Sequence, residues 1–467
     1  MQQWSPLSWQ QFPYEQAAIY PDKNQLDKVV EQLSLLPPLV TSGEIKNLKR
    51  AIAKAGRREA FILQGGDCAE SFKDCRSDII SSKLKILLQM SLIMIHGIRK
   101  PIVRIGRIAG QYAKPRSSDY ETMDGITLPS YRGDLVNSQQ FNASARIPNP
   151  KLMLQGYSCA AMTLNFIRAL LDGGFADLNN PQQWDLDFVE HSPQADEYHA
   201  IVHSLSESLD FIEAIDGLRA SNLNKVDFYT SHEALHLHYE QALTRRLHDG
   251  LWYNLSTHLP WTGMRTAKPH SAHLEFLRGI QNPVGIKVGP DATTEWLTEI
   301  INLINPHHEE GRLLLITRFG AQNISRLLPP LIEAVHKTKS PVTWSCDPMH
   351  GNTEITSDGI KTRHFDTILS ELQQAMQIHH EMNSYLGGVH FELTGDNVTE
   401  CIGGARGLNK DDLKRAYRSL VDPRLNYEQS LEMAIQLTRQ VKEKFAVNKQ
   451  ESAVLTSKSV CQASCLQ

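Results

Sequence analysis

The chain has 467 residues, 41% hydrophobic and 21% charged, with a formal net charge of -4 and a pI near 6.6. These are the proportions of a folded soluble protein, which argues against a disordered or membrane class, and the charge leaves no basic field for nucleic acid, although local cationic clusters remain free to hold small phosphorylated anions. The length suits a large α/β barrel with insertions as one unit.

The N-terminus, MQQWSPLSWQQFP, has neither the charged and apolar regions of a secretory signal nor an Arg-rich transit pattern, so a cytoplasmic location is expected. Seven cysteines, irregularly spaced and odd in number, do not describe a disulfide framework. Residues 1–60 read as an N-terminal extension with PPLV at 37–40 and a helical run near 43–55. Eight short apolar runs follow, at 61–65, 102–106, 226–230, 254–260, 284–288, 313–317, 341–345 and 388–392, most of them preceding a loop and a helical pattern. That alternation predicts parallel strands with crossover helices, a TIM-type (β/α)8 barrel over 61–447. The fourth run contains Pro260, which is unwelcome inside a strand. The longest apolar stretch, 79–98, contains Lys83, Lys85 and Gln89 and suits an amphipathic helix better than a bilayer span. A helical insertion is expected at 145–222, with helices near 152–172 and 193–218, and the turn-like composition of 448–467 predicts a flexible tail.

In such a barrel the residues at the C-terminal ends of the strands share one face, where active sites are built. Those positions carry Asp67 and Cys68, Arg107, His232 and Glu233, Trp261 and Arg265, Lys287, Arg318, His350 and Glu392. Cys68, His350, Glu392 and, further along, Asp422 form a mixed thiolate, imidazole and carboxylate set. It suits a borderline divalent ion in an open catalytic site, because a structural zinc usually has paired cysteines at short spacing. HEALH at 232–236 matches the HExxH zinc-protease pattern, but Tyr239 stands where the metzincin extension requires glycine, so the match is read as chance. The pairs His307 with His308 and His379 with His380 are read as solvated faces.

FILQGGDCAESF at 61, RIGRIAGQYAKPRS at 104, SHEAL at 231, CDPMHGN at 346, HFELTGDNVTECIGG at 390 and VDPRLNYEQSLE at 421 are long and specific. Together they make the chain resemble the type II 3-deoxy-D-arabino-heptulosonate 7-phosphate (DAHP) synthases from Trp4 to about residue 445. The resemblance implies condensation of phosphoenolpyruvate with D-erythrose 4-phosphate at the entry to the shikimate pathway, with one divalent ion, expected to be manganese with cobalt or another ion as substitutes. It implies phosphoenolpyruvate binding by Arg107, Arg265, Lys287 and Arg318, with the Met264 amide as a further donor and Trp261 as a wall. It implies erythrose 4-phosphate binding by Lys114, Pro115, Arg116 and Ser117. Lys287, Lys361 and His350 are the expected catalytic groups, with Lys361 handling protons or charge, while Asp67 and Glu70 orient other groups. A homodimer or homotetramer is also implied, with aromatic amino acids as effectors acting through the extension and insertion.

Two departures from the family pattern stand out. Met264 replaces the usual glutamate and is followed by an altered run, Ala267, Lys268, Pro269 and His270; Val421 replaces a cysteine beside Asp422, so no bridge to Cys68 can form. The first departure keeps open a synthase using an amino-sugar acceptor in secondary metabolism, and a non-catalytic regulatory relative is the other alternative.

Overall fold

A computed structural model describes residues 4–173, 227–440 and parts of 196–207. The tail at 448–467 and most of the helix expected over 193–218 lie outside the described residues. Eight parallel strands, β1 (Phe61–Gly66), β2 (Ile102–Arg107), β3 (Phe228–Glu233), β4 (Leu259–Thr262), β5 (Val284–Val288), β6 (Leu313–Thr317), β7 (Thr343–Cys346) and β8 (Leu386–Glu392), close into a barrel in which each pairs with its neighbours in sequence and β8 pairs with β1. Nearly every strand residue is buried because helices cover the outside and side chains fill the inside.

The two-residue period of a strand sorts those side chains. Ile62, Val103, Ile105, Tyr229, Leu259, Leu314 and Ile316 form the inner core. Leu63, Ile102, Leu313, Leu315, Val389 and Phe391 face the helical shell. Continuing the inward phase to the C-terminal end of the strands brings Arg107, Glu233, Trp261 and Lys287 to the wall of one cavity. Gly66, at φ 141°, ends β1 where a Cβ would lie 2.7 Å from the Arg107 carbonyl oxygen, so a side chain there would push Arg107 aside.

The N-terminal extension closes the other end of the barrel. It contains α1 (Lys23–Leu35) and α2 (Ser42–Gly56), the latter begun by a capping box between Thr41 and Glu44. Leu48, Ile52 and Ala55 of α2 join the inner core, which leaves the C-terminal end open. The turn before β6 fits against this helix through Gly311, at φ 73°, where a Cβ would meet the Lys49 carbonyl at 2.0 Å. Helix α3 (Ser77–Ile98) is long and apolar enough to cross a membrane by composition, but its Leu87, Met90, Ile93 and Met94 pack in the outer core, and Lys83 and Gln89 are buried with them. Within the insertion, α4 (Lys151–Asp172) covers α1 and α3 through Met153, Ala160, Leu164 and Ile167.

Two expectations need correction. The fourth strand is Leu259–Thr262, not 254–260; Trp252–Asn254 instead pairs antiparallel with Thr244–Arg246. Pro260 does lie in the barrel, and it is accommodated near the strand's start, because pairing with β5 begins only at Trp261. His379 is not on a solvated face: it is buried, with Nδ1 2.9 Å from Ser384 Oγ and its ring against Trp344, whereas His307, His308 and His380 are exposed.

Ile52→Ala should leave a cavity between α2 and the barrel floor and destabilise the fold by about 2–5 kcal/mol. A urea midpoint unchanged from that of the parent would show that α2 is not part of the barrel's cooperative core.

Candidate active site

Cys68 follows β1, His350 opens a 3-10 turn after β7, Glu392 ends β8, and Asp422 lies in the loop leading to the helix over 427–440. One ligand atom from each lies within 4.8 Å of the others, so residues far apart in sequence form a single donor group. The surrounding hydrogen bonds orient it. Asp347 Oδ2 lies 2.6 Å from His350 Nδ1, and Asp347 Oδ1 accepts from the Met349 and His350 amides, which leaves Nε2 directed at the group. Glu392 is fully buried, with Oε2 2.7 Å from Arg363 Nη1, and with Oε1 3.2 Å from Arg107 Nη2 and 3.0 Å from His350 Nε2. Burial opposes ionisation of Glu392, but His350, Arg363 and Arg107 overcome it and hold the carboxyl well below the usual range. Lys114 Nζ lies 2.6 Å from both Cys68 Sγ and Asp422 Oδ2. Burial and the Glu392 charge push the Cys68 thiol up, against the attraction of Lys114. The mixed donors and the oriented imidazole fit a divalent ion, whose binding would displace the thiol proton.

Beside this group lies a cavity of about 200 Å³ lined by Arg107, Lys287, Arg318, Arg265 and Met264, with Trp261 and Glu233 among the other walls. Lys287 is buried, paired with Asp347, and 5.2 Å from the centre of the Trp261 ring; Arg107 lies 5.3 Å from the same ring. Burial, aided by the Arg107 charge and opposed by Asp347, pushes the Lys287 ammonium down to about 8. Arg318 donates from Nη2 to the His350 carbonyl at 2.9 Å, while its buried Nε has no partner among the described residues. Trp261 Nε1 and Glu233 Oε1 are likewise buried and unpartnered there. Arg265 is exposed, and neither its side chain nor the Met264 amide has a protein partner among the described residues. Buried polar atoms without partners are costly, and two of these, Arg318 Nε and Trp261 Nε1, are donors on residues of one cationic cavity, which suits an anionic ligand.

The expected acceptor segment is divided. Lys114 and Pro115 line the cavity; Arg116 and Ser117 do not, since Arg116 Nη2 lies 2.6 Å from Glu121 and Ser117 is exposed. The loop before it is held by Glu70, which accepts from the amides of Ala109, Gly110 and Gln111. Asp67 binds Lys83 and, at 2.6 Å, Arg424, while its carbonyl accepts from Arg107 Nε. Lys361, half-exposed, lies 3.2 Å from Asp422 Oδ1. HEALH makes no metal site: His232 and Glu233 point to opposite faces of β3, His232 Nε2 meets Glu240 at 2.7 Å, and His236 Nε2 meets the Tyr20 hydroxyl at 2.5 Å.

Sequence reasoning missed three contributors. Arg363, two residues past Lys361 in KTRHFD, is the closest partner of Glu392, and Asp347 fixes the His350 ring from three residues upstream. Glu233 was read only as a strand-end residue and part of a protease pattern, although its place on the inward phase of β3 was available as a signal. Burial pushes the Glu233 carboxyl up, against Arg107 and Lys287.

The chain is 44% identical to a phospho-2-dehydro-3-deoxyheptonate aldolase of Neurospora crassa, over 97% of this chain and 98% of that one. It is also 44% identical to a protein of the same name from Streptomyces coelicolor, over 91% of this chain and 95% of that one. The model of the class-II DAHP synthetase family matches residues 4–438, which span the barrel, the donor group and the cationic cavity, and the chain belongs to that family.

Proposed function

We infer that this chain joins C3 of phosphoenolpyruvate to the aldehyde carbon of D-erythrose 4-phosphate, with water adding at C2 and inorganic phosphate leaving, to give DAHP for aromatic amino acid biosynthesis. One observation carries this reading: a four-residue metal-donor group and a cationic cavity with unpartnered buried donors share one end of a barrel. A non-catalytic relative would have little use for both.

Cys68, His350, Glu392 and Asp422 would hold a divalent ion, with manganese our first choice and cobalt a substitute. When bound, the ion supplies Lewis acidity for an aldehyde oxygen. Arg107, Lys287, Arg318 and Arg265 hold the phosphate and carboxylate of phosphoenolpyruvate, and a ligand with two anionic groups offsets the repulsion among these four cations. The Met264 amide adds a neutral donor, and Trp261 packs against Lys287 and Arg107, keeping them directed into the cavity. Lys114 and Pro115, with Arg116 and Ser117 next in the loop, receive the acceptor and its phosphate. Lys361, beside Asp422, is placed to move or balance a proton at that carboxylate. Glu233, with its raised proton affinity, is placed on the wall to hold a water molecule. We place the enzyme in the cytoplasm as a homodimer or homotetramer responsive to aromatic amino acids, in keeping with its family and its soluble substrates.

Cys68→Ser should bind manganese at least about tenfold more weakly and lose most metal-dependent phosphate release while keeping its circular dichroism. Parent-level manganese binding in that variant would remove Cys68 from the donor group. Arg318→Ala should raise KM for phosphoenolpyruvate roughly 10–100-fold, the value of a charge-assisted hydrogen bond, and move KM for erythrose 4-phosphate far less. Lys287 is charged below about pH 8 and neutral above it, so kcat/KM for phosphoenolpyruvate should fall as pH rises through about 8. A profile flat to pH 9.5 would show that the Lys287 charge is not needed for capture.

A further inference from the structure

The segment before α1 runs along the barrel wall to the edge of the active-site cavity, where Glu15 and Gln16 line a neighbouring pocket that shares Met264 and Arg265 with it. Trp4 Nε1 donates to the Glu275 carbonyl at 2.8 Å, Trp9 Nε1 donates to Gln241 Oε1 at 2.9 Å, and the Ala272 amide donates to the Pro13 carbonyl at 3.0 Å. The Tyr14 hydroxyl donates to the Leu235 carbonyl at 3.1 Å and accepts from the Leu237 amide at 2.9 Å. These bonds fix the segment to the helices Leu237–Ala242 and Ala272–Gly279, so it reaches the mouth as a rigid strap.

At the mouth the strap bends. Gln16 has φ 60°, a left-handed conformation that a non-glycine residue adopts only when its surroundings enforce it. Its Oε1 accepts from the Arg116 amide at 2.7 Å and from Arg132 Nη1 at 3.3 Å, and its carbonyl accepts from the same Nη1 at 3.4 Å. The Arg132 carbonyl in turn accepts from the Lys114 amide at 3.0 Å. Gln16 therefore touches both the segment 114–117 and the loop residue Arg132 that backs it. Glu15 pairs with Lys268 across the mouth at 2.9 Å, but both side chains are exposed and such a pair contributes little. Gln16 reaches the backbone of this loop at the Arg116 amide directly and near Lys114 through Arg132, beside the side-chain ties of Lys114 to Asp422 and of Arg116 to Glu121.

We propose that Gln16 is a positioning residue for the acceptor: the N-terminal strap sets the backbone of Lys114–Ser117 and thereby the affinity for the phosphate of erythrose 4-phosphate. This rests on the reading that Lys114–Ser117 receives that phosphate. Gln16 touches no reacting atom; it acts through the Arg116 amide, whose position fixes where neighbouring donors point.

The test uses the full-length, manganese-loaded enzyme with Gln16→Ala, Gln16→Glu, Lys114→Ala and Arg116→Ala. Gln16→Ala should raise KM for erythrose 4-phosphate roughly 5–20-fold and KM for phosphoenolpyruvate less than about twofold, with an unchanged melting temperature. Gln16→Glu keeps an acceptor oxygen and should recover most of the loss. With unphosphorylated erythrose as acceptor, the Gln16→Ala penalty should vanish. Equal rises in both KM values, no rise at all, or the same penalty with erythrose would overturn the proposal. If Lys114→Ala and Arg116→Ala also leave KM for erythrose 4-phosphate unchanged, the acceptor-site reading falls and Gln16 with it; if they raise it while Gln16→Ala does not, only the strap's role is lost.

Discussion

The active end of this barrel depends on one buried carboxylate. Glu392 has no contact with solvent, yet His350, Arg363 and Arg107 keep it ionised. A buried charge without partners is expensive, and removing one member of such a pair typically costs about 3–5 kcal/mol. Each partner of Glu392 has a second duty: His350 belongs to the donor group, Arg107 faces the anion cavity, and Arg363 accompanies the turn that carries Lys361. Neutralising one carboxylate therefore sets the distance between the metal donors and the anion cavity.

That arrangement is possible because a strand repeats every two residues and a closed barrel has an inside. The same phase that buries Ile105, Tyr229 and Leu259 in the inner core delivers Arg107, Glu233 and Trp261 at inward positions further along the same strands. Polar groups gather at the open end because α2 plugs the other with Leu48, Ile52 and Ala55. Loops outside the barrel then need their own restraints. Glu70 holds the segment 109–111 by three amide hydrogen bonds, and Asp67 and Glu400 share Arg424, which ties the loop after β1 to the loop carrying Asp422.

The site also separates two kinds of electrostatic work. Around Glu392 and Asp347 the charges are paired within the protein, and their role is to hold geometry. On Arg318, Trp261 and Glu233, by contrast, single polar atoms have no protein partner among the described residues. Met264 stands at this second set. An apolar side chain there adds no charge to compete with a bound anion, and its thioether packs against Gly289, where a Cβ would come within 2.8 Å of the sulfur.

Much of this was legible in the sequence. Eight apolar runs with crossover helices announced the barrel, and Cys68, His350, Glu392 and the four expected cations stood at or just past strand ends, because strand period and barrel chirality are local rules that place those ends on one face; Asp422 came from a motif further along the chain. The fourth strand was misplaced, since Trp252–Asn254 is as apolar as a barrel strand and only its partner, Thr244–Arg246, diverts it into a hairpin. Sequence by itself determined the fold and the family, and it named the four residues that the barrel brings together as a possible donor group, all of which follow from periodicity and long motifs. Only the tertiary structure decided that Arg363 neutralises Glu392, that Arg116 turns to Glu121, and that Gln16 reaches the loop 114–117 from 100 residues away, because these depend on through-space distances that no local pattern encodes.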